Sequence, residues 1–126
     1  MKTREELEEL IPRVIGALIE VHRELGPGFL EGIYRRAIEI EFARREIPFE
    51  SEKPITLHYC GKKIGRHRLD LLVDGSLVIE LKTVDVLHKK HYAQVRSYLK
   101  ATHSPIGLLV NFADYQVDPR RVELNS

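Results

Sequence analysis

The chain changes its hydrophobic period once, and that change limits its fold more than any other feature. Apolar residues first return at helical spacing: Leu7, Leu10, Ile11, Val14, Ile15, Leu18, Ile19, then Val21 and Leu25. From Phe49 onward the period falls to two, the spacing of strands whose side chains alternate between two faces. The first segment predicts a helix over about 3–25. Pro12 is expected to kink or restart it after a first turn, and Gly26-Pro27-Gly28 to stop it. A second helix is expected from about Phe29 to Arg45, with Ile33, Ala37, Ile38, Ile40 and Phe42 on its apolar side and Pro48 beyond its end.

The remainder reads as strands at about 55–59, 64–73 and 77–84, with turns at Gly61 and at Asp74-Gly75-Ser76. A basic amphipathic helix follows from about His88 to Ala101, then a strand in IGLLVNF and a last short one in RRVEL. The order α-α-β-β-β-α-β-β predicts an α/β or α+β domain, a mixed central β-sheet flanked by helices. A chain of 126 residues fills one core and not two. Residues 1–126 are therefore expected to form a single domain, with the helix of residues 1–25 added outside its central core.

Composition narrows the class of partner. Hydrophobic residues at 43% and charged residues at 31% are those of a soluble globular protein. No apolar run approaches the ~18 residues of a membrane span, and the acidic start MKTREELEELIPRV is unlike a leader peptide. A lone Cys60 excludes an internal disulfide and a Cys-rich zinc site, so a reducing cytoplasm is expected. The net charge of +1 conceals a polarity, acidic in residues 1–50 and basic afterwards. In LHKKHYAQVRSYLKATH, Lys89, Lys90, Arg96 and Lys100 meet histidines and no acid, which suits an anionic partner or simply a solvated helix face.

The stretch DLLVDGSLVIELK, Asp70 to Lys82, puts three charges among strand residues. A buried charge costs several kcal/mol unless it is paired or holds a metal. Glu80 and Lys82 leave the same strand face, and Ile79 and Leu81 take the other. A three-residue loop at Asp74–Ser76 would set Asp70 opposite Glu80, whereas a two-residue Asp-Gly turn would put them on opposite faces. Facing carboxylates would repel unless a cation lay between them. Oxygen ligation by Asp70, Glu80 and the backbone carbonyl of Leu81 describes Mg²⁺ or Mn²⁺, not zinc, with Lys82 placed to help a water and a pentacovalent phosphate. An exposed Glu–Lys pair with Asp70 at a sheet edge remains the plain alternative.

Other residues bear on that choice. Gln94 and Tyr98 share a stripe of the basic helix with His91, which suits a phosphate donor. Glu31 and Tyr34 point one way from the second helix, although its N-terminal dipole alone would account for an acid. Alternation puts Arg66 and Arg68 on the Asp70 face, where they would clamp phosphate or neutralise acid. Among the histidines only His88 and His91 approach a ligand spacing, and weakly. No G-x-S-x-G, P-loop or G-x-G-x-x-G occurs, so no organic cofactor is expected.

Taken together these residues resemble two nested families. Asp70 followed by Glu80-x-Lys82 is similar to the PD-(D/E)xK nuclease signature, and the element order resembles that superfamily's restriction-endonuclease-like core. Gln94-Val-Arg-Ser-Tyr98 resembles the Q-x-x-x-Y motif of its exonuclease-like branches, and Leu69 stands where the naming proline would. Gly28-Phe-Leu-Glu31-Gly-Ile-Tyr34, with HRLDLLV, IELK and AQVRSYLK, resembles the GxxExxY protein family over nearly the whole chain. The resemblance implies metal held by Asp70 and Glu80, a further carboxylate from Glu31, water positioned by Lys82, and the phosphodiester positioned by Gln94 and Tyr98. It implies a Mg²⁺- or Mn²⁺-dependent nuclease. The basic helix and strand parity add the expectation that the substrate is nucleic acid, DNA sooner than RNA, met by Arg66, Arg68, Lys89, Lys90, His91 and Arg96. The alternative is a catalytically silent binding or scaffold protein of the same fold. The apolar and acidic first helix suggests a homodimer.

Overall fold

A computed structural model describes residues 2–124. Its elements are α1 (Arg4–Leu25), α2 (Glu31–Arg44), β1 (Phe49–Tyr59), β2 (Lys62–Val73), β3 (Leu77–Lys82), α3 (Lys89–Thr102), β4 (Ile106–Asn111) and β5 (Asp118–Glu123), in the expected order. The strands form one five-stranded sheet ordered β1-β2-β3-β4-β5. β3 and β4 run parallel and are joined through α3; every other neighbouring pair is antiparallel. The sheet is mixed, as the sequence implies.

Helix α1 opens on a capping box, in which Thr3 accepts the Glu6 N–H and Glu6 returns its carboxylate to the Thr3 N–H. Pro12 does not divide it: the helix runs unbroken through that residue, which faces solvent. Leu7, Leu10, Ile11, Val14, Leu18 and Val21 are buried in one cluster with Tyr34, Ile38 and Phe42 of α2 and with Leu71, Val73, Ile79 and Leu81 of the sheet. The apolar face that the sequence offered to a twin is thus covered by this chain's own sheet. On α2 the buried line is Tyr34, Ile38 and Phe42, while Ile33 and Ile40, expected on the apolar side, are 41% and 65% exposed. The helix starts at Glu31 in the orientation that seats Tyr34 on Phe112, their rings 4.6 Å apart.

The opposite sheet face carries Leu69, Leu72, Val78 and Leu109 against Val95, Tyr98 and Leu99 of α3. Leu69 and Leu72 share this face although regular alternation would separate residues three apart. On β1, likewise, Phe49 packs toward α1 and α2, whereas Ile55 packs toward α3. Both strands turn over where Glu52 meets Asp70. The ladder pairs Ser51 with Leu71 and Lys53 with Leu69 but skips the two residues between. Glu52 there has φ 52°, in the left-handed region that a non-glycine residue seldom occupies.

β1 begins at Phe49, well before the expected Ile55. Pro54 hid this start from an alternation pattern, and it is tolerated because β1 is an edge strand.

Candidate active site

β2 and β3 pair Leu71 with Ile79, Leu72 with Val78 and Val73 with Leu77, which leaves Asp74-Gly75-Ser76 as a three-residue loop. Asp74 and Gly75 adopt φ of 51° and 70°. The loop length is the one that sets Asp70 level with Glu80. Past Leu71 the ladder stops: the Asp70 carboxylate takes the Leu81 N–H at 2.7 Å, where Leu69 would otherwise supply the acceptor. The N–H and C=O of a strand residue point to the same side, so the Leu81 carbonyl also faces the Asp70 edge.

Glu80 is 6% exposed, and its Oε1 is buried without a hydrogen-bond partner. Burial, then the charge of Asp70, pushes its carboxyl up to about 8 against the pull of Lys82. An orphaned carboxylate oxygen in such a place is costly in the protein alone. Lys82, beyond it on the same face, forms no ion pair among the described residues, yet its charge acts on Glu31, Glu80 and His91.

Glu31 reaches this group from the first turn of α2. Burial raises its carboxyl, Lys82 opposes the rise and Asp70 adds to it. The loop before α2 is fixed by Tyr34, whose hydroxyl donates to the Gly26 carbonyl at 2.6 Å and accepts from the Phe29 N–H at 3.4 Å. Gly28 has φ 109°, which a side chain would strain. The Gly28–Glu31–Tyr34 spacing therefore has a mechanical content: a hinge glycine, the presented acid, and a fully buried clamp.

From the other face, α3 brings Tyr98 and Gln94. Burial and then the charge of Glu80 raise the Tyr98 phenol, while a hydrogen bond with Gln94 lowers it. His67 of β2 lies against the Tyr98 ring at 5.4 Å. His91 accepts the His88 N–H on Nδ1 at 2.9 Å, which leaves the proton on Nε2. Burial first, then the charge of Lys82, holds its imidazole below the usual range.

Not every expected residue joins. The turnover at Asp70 sends His67 and Leu69 toward α3, so Arg66 and Arg68 fall on the opposite side and not on the Asp70 face that alternation gave them. Arg68 meets Glu52 at 3.6 Å, and Glu52 also meets Arg35 of α2 at 3.7 Å. Lys89 and Lys90 are exposed at the start of α3 and Arg96 is half-buried one to two turns on. Sequence reasoning missed Glu52, since nothing in FESEKP marks a residue opposite Asp70. It also missed Asn111, whose amide donates to the Val84 carbonyl at 2.8 Å and accepts from the Val84 and Ala113 N–H groups at 3.1 and 3.2 Å. Asn111 thereby splices the chain after Lys82 to the end of β4.

Among the described residues no three His, Cys, Asp or Glu side chains close on one point. A zinc cage is therefore not what the site offers. A hard divalent cation needs less, since carboxylates, a carbonyl and waters suffice. The unpartnered Glu80 Oε1 beside Asp70 fits such a group.

Residues 8–122 match the family model of the PD-(D/E)XK nuclease superfamily. The chain belongs to that superfamily. It is also similar to the crystal structure of SSO0001, with a TM-score of 0.58 and 23% identity over 73% of this chain. The chain spans 48% of that protein's length, and the likeness carries the fold. No curated protein matches the chain. No helix among the described residues is long and apolar enough to cross a membrane.

Proposed function

We propose that the chain is a metal-dependent nuclease of the GxxExxY type that hydrolyses phosphodiester bonds, in DNA sooner than RNA. The observation that carries this reading is the buried, unpartnered Glu80 oxygen beside the Asp70 carboxylate. Asp70, Glu80 and the Leu81 carbonyl would hold Mg²⁺ or Mn²⁺. Such a cation supplies Lewis acidity to a water and to a phosphate oxygen. Glu31 lends a further carboxylate within electrostatic reach of Lys82 and Asp70. Lys82 stabilises the developing negative charge and orients the attacking water. Gln94 and Tyr98, one turn apart on α3, hold the phosphodiester, and His91 offers it the Nε2 proton. Lys89, Lys90 and Arg96 meet the backbone as it leaves the site, and Arg66 and Arg68 do so from the far side of β2. With Cys60 free and exposed, a reducing cytoplasm suits the chain.

The test is cleavage of single-stranded, duplex and branched DNA and of RNA with Mg²⁺ or Mn²⁺, beside Glu80→Ala and Lys82→Ala. Cleavage confined to the unaltered protein supports the reading. Binding without cleavage on every substrate favours a silent scaffold, and cleavage that survives both substitutions points to a contaminant.

A further inference from the structure

The distal part of the β1–β2 hairpin is more than a sheet edge. β2 pairs with β3 only over Leu71–Val73, so from Lys53 to the turn at Cys60-Gly61 and back to Leu69 the chain is a two-stranded ribbon with no third strand. At about 3.3 Å per residue it reaches roughly 20 Å. Isolated ribbons are marginal in water, and this one is steadied on one side by Ile55 and His67 against α3. Residues 53–69 contain Lys53, Lys62, Lys63, Arg66 and Arg68 and no Asp or Glu. Lys53 and Arg68, at its base, are paired with Glu50 and Glu52. Lys62, Lys63 and Arg66, toward the tip, are exposed and have no ion pair among the described residues.

The tip is also apolar in a place where water would favour polar residues. Tyr59 and Ile64 are 70% and 67% exposed on either side of the turn. The register shifts there, Leu57 facing Gly65 and His58 facing Lys63, so Ile64 is the extra residue of a bulge that twists the ribbon and turns its side chain outward. Residues 86–113 of α3 and its flanks likewise carry no acid, and α3 packs on the ribbon through Ile55 and His67, so the basic ribbon and the basic helix are neighbours, with Arg66 on the ribbon's far side.

We infer that this ribbon is a groove-reading arm and that the substrate is duplex DNA. The B-form major groove, about 12 Å wide, admits a two-stranded ribbon, and lysines along it meet both phosphate walls. The major groove of an RNA duplex is too narrow and deep to admit one. A single strand offers no groove, so the ribbon's length and bulge would be wasted on it. The inference rests on the nucleic-acid reading of the site but not on turnover.

The experiment measures binding by fluorescence anisotropy in EDTA, where cleavage is off, using duplex DNA, its single strand and the matching RNA duplex. The unaltered protein should favour duplex DNA over both others by about 10-fold or more. Lys62→Ala/Lys63→Ala should lose about 10-fold on duplex DNA and reduce the salt slope by about 2, with an unchanged circular dichroism melt. Tyr59→Ala should lose a further, salt-independent factor of roughly 3 or more. Equal affinity for the three nucleic acids, or duplex binding untouched by these substitutions, overturns the proposal. Cleavage with Mg²⁺ is scored separately. Duplex binding that depends on the ribbon, without cleavage, leaves the arm standing and removes the nuclease. Cleavage with a dispensable ribbon does the reverse.

Discussion

The Asp70 carboxylate accepts the Leu81 N–H at 2.7 Å, a side-chain bond in the place of a ladder bond. It lies where β2–β3 pairing ends at Leu71 and Ile79, and Glu80 is buried beside this second acid. The chemistry assigned to the site follows from that substitution of partners.

Glu80→Gln should stabilise the metal-free protein. It removes a buried charge held up to about 8 by burial and by Asp70 while keeping the side-chain shape. A gain of about 1 kcal/mol corresponds to a Tm rise of roughly 3–5 °C for a chain of this size. Differential scanning fluorimetry in EDTA at pH 8 checks this. The same variant should lose the Tm increase that Mn²⁺ gives the unaltered protein.

The pH dependence follows from the same carboxyl. Its pKa is raised on folding from 4.5 to about 8, so the folded state binds the proton more tightly than the unfolded one. The Glu80 contribution is full below about 4.5 and is lost as pH rises toward 8. Metal must displace that proton, so Mn²⁺ affinity should rise with pH up to about 8 and then level. Calorimetric titrations at pH 6, 7 and 8 should show it, with proton release that shrinks as pH rises. A pH-independent affinity would mean Glu80 is not a ligand.

Tyr34→Phe keeps the ring on Phe112 and deletes the hydroxyl that holds Gly26. The lost hydrogen bond costs about 1 kcal/mol of stability. Because the clamp fixes the loop that presents Glu31, cleavage should fall several-fold more than a comparable core substitution such as Ile38→Val, at similar Tm. Equal activity in the two variants would make Tyr34 a packing residue only.

Asn111→Ala removes both hydrogen bonds to Val84 and the one to Ala113. Leaving those groups unpaired costs about 1–3 kcal/mol. The segment after Lys82 should loosen, which amide hydrogen exchange would register at Val84 as faster exchange while β3 stays protected.

The order of elements is legible in the sequence because period and parity report strands directly, whereas parity alone leaves open whether Asp70 joins Glu80 and Lys82 on one face. The turn is legible too, but its length is not: Asp74-Gly75-Ser76 suits a two- or a three-residue connection, and the pairing of Val73 with Leu77 makes it three, with Asp74 and Gly75 at left-handed positions. What failed was parity carried too far. Alternation puts Arg66 and Arg68 on the Asp70 face because it knows nothing of the turnover at Glu52 and Asp70, a tertiary event between two strands. The start of β1 was hidden by Pro54, which reads as a breaker unless the strand is known to be an edge. Ile33 and Ile40 look like core in the sequence because hydrophobicity says nothing about which way α2 is rotated, and Tyr34 on Phe112 decides that. The apolar residues of the first helix suggest a twin in the sequence alone because the sheet they pack toward is not visible there.

The most direct measurement is the anomalous difference density of a crystal soaked in Mn²⁺. A single peak bonded to Asp70, Glu80 and the Leu81 carbonyl, absent from Glu80→Gln crystals grown alike, is the expected result. Strand acids that stay unliganded at saturating Mn²⁺, with Glu80 buried and protonated, would contradict the account.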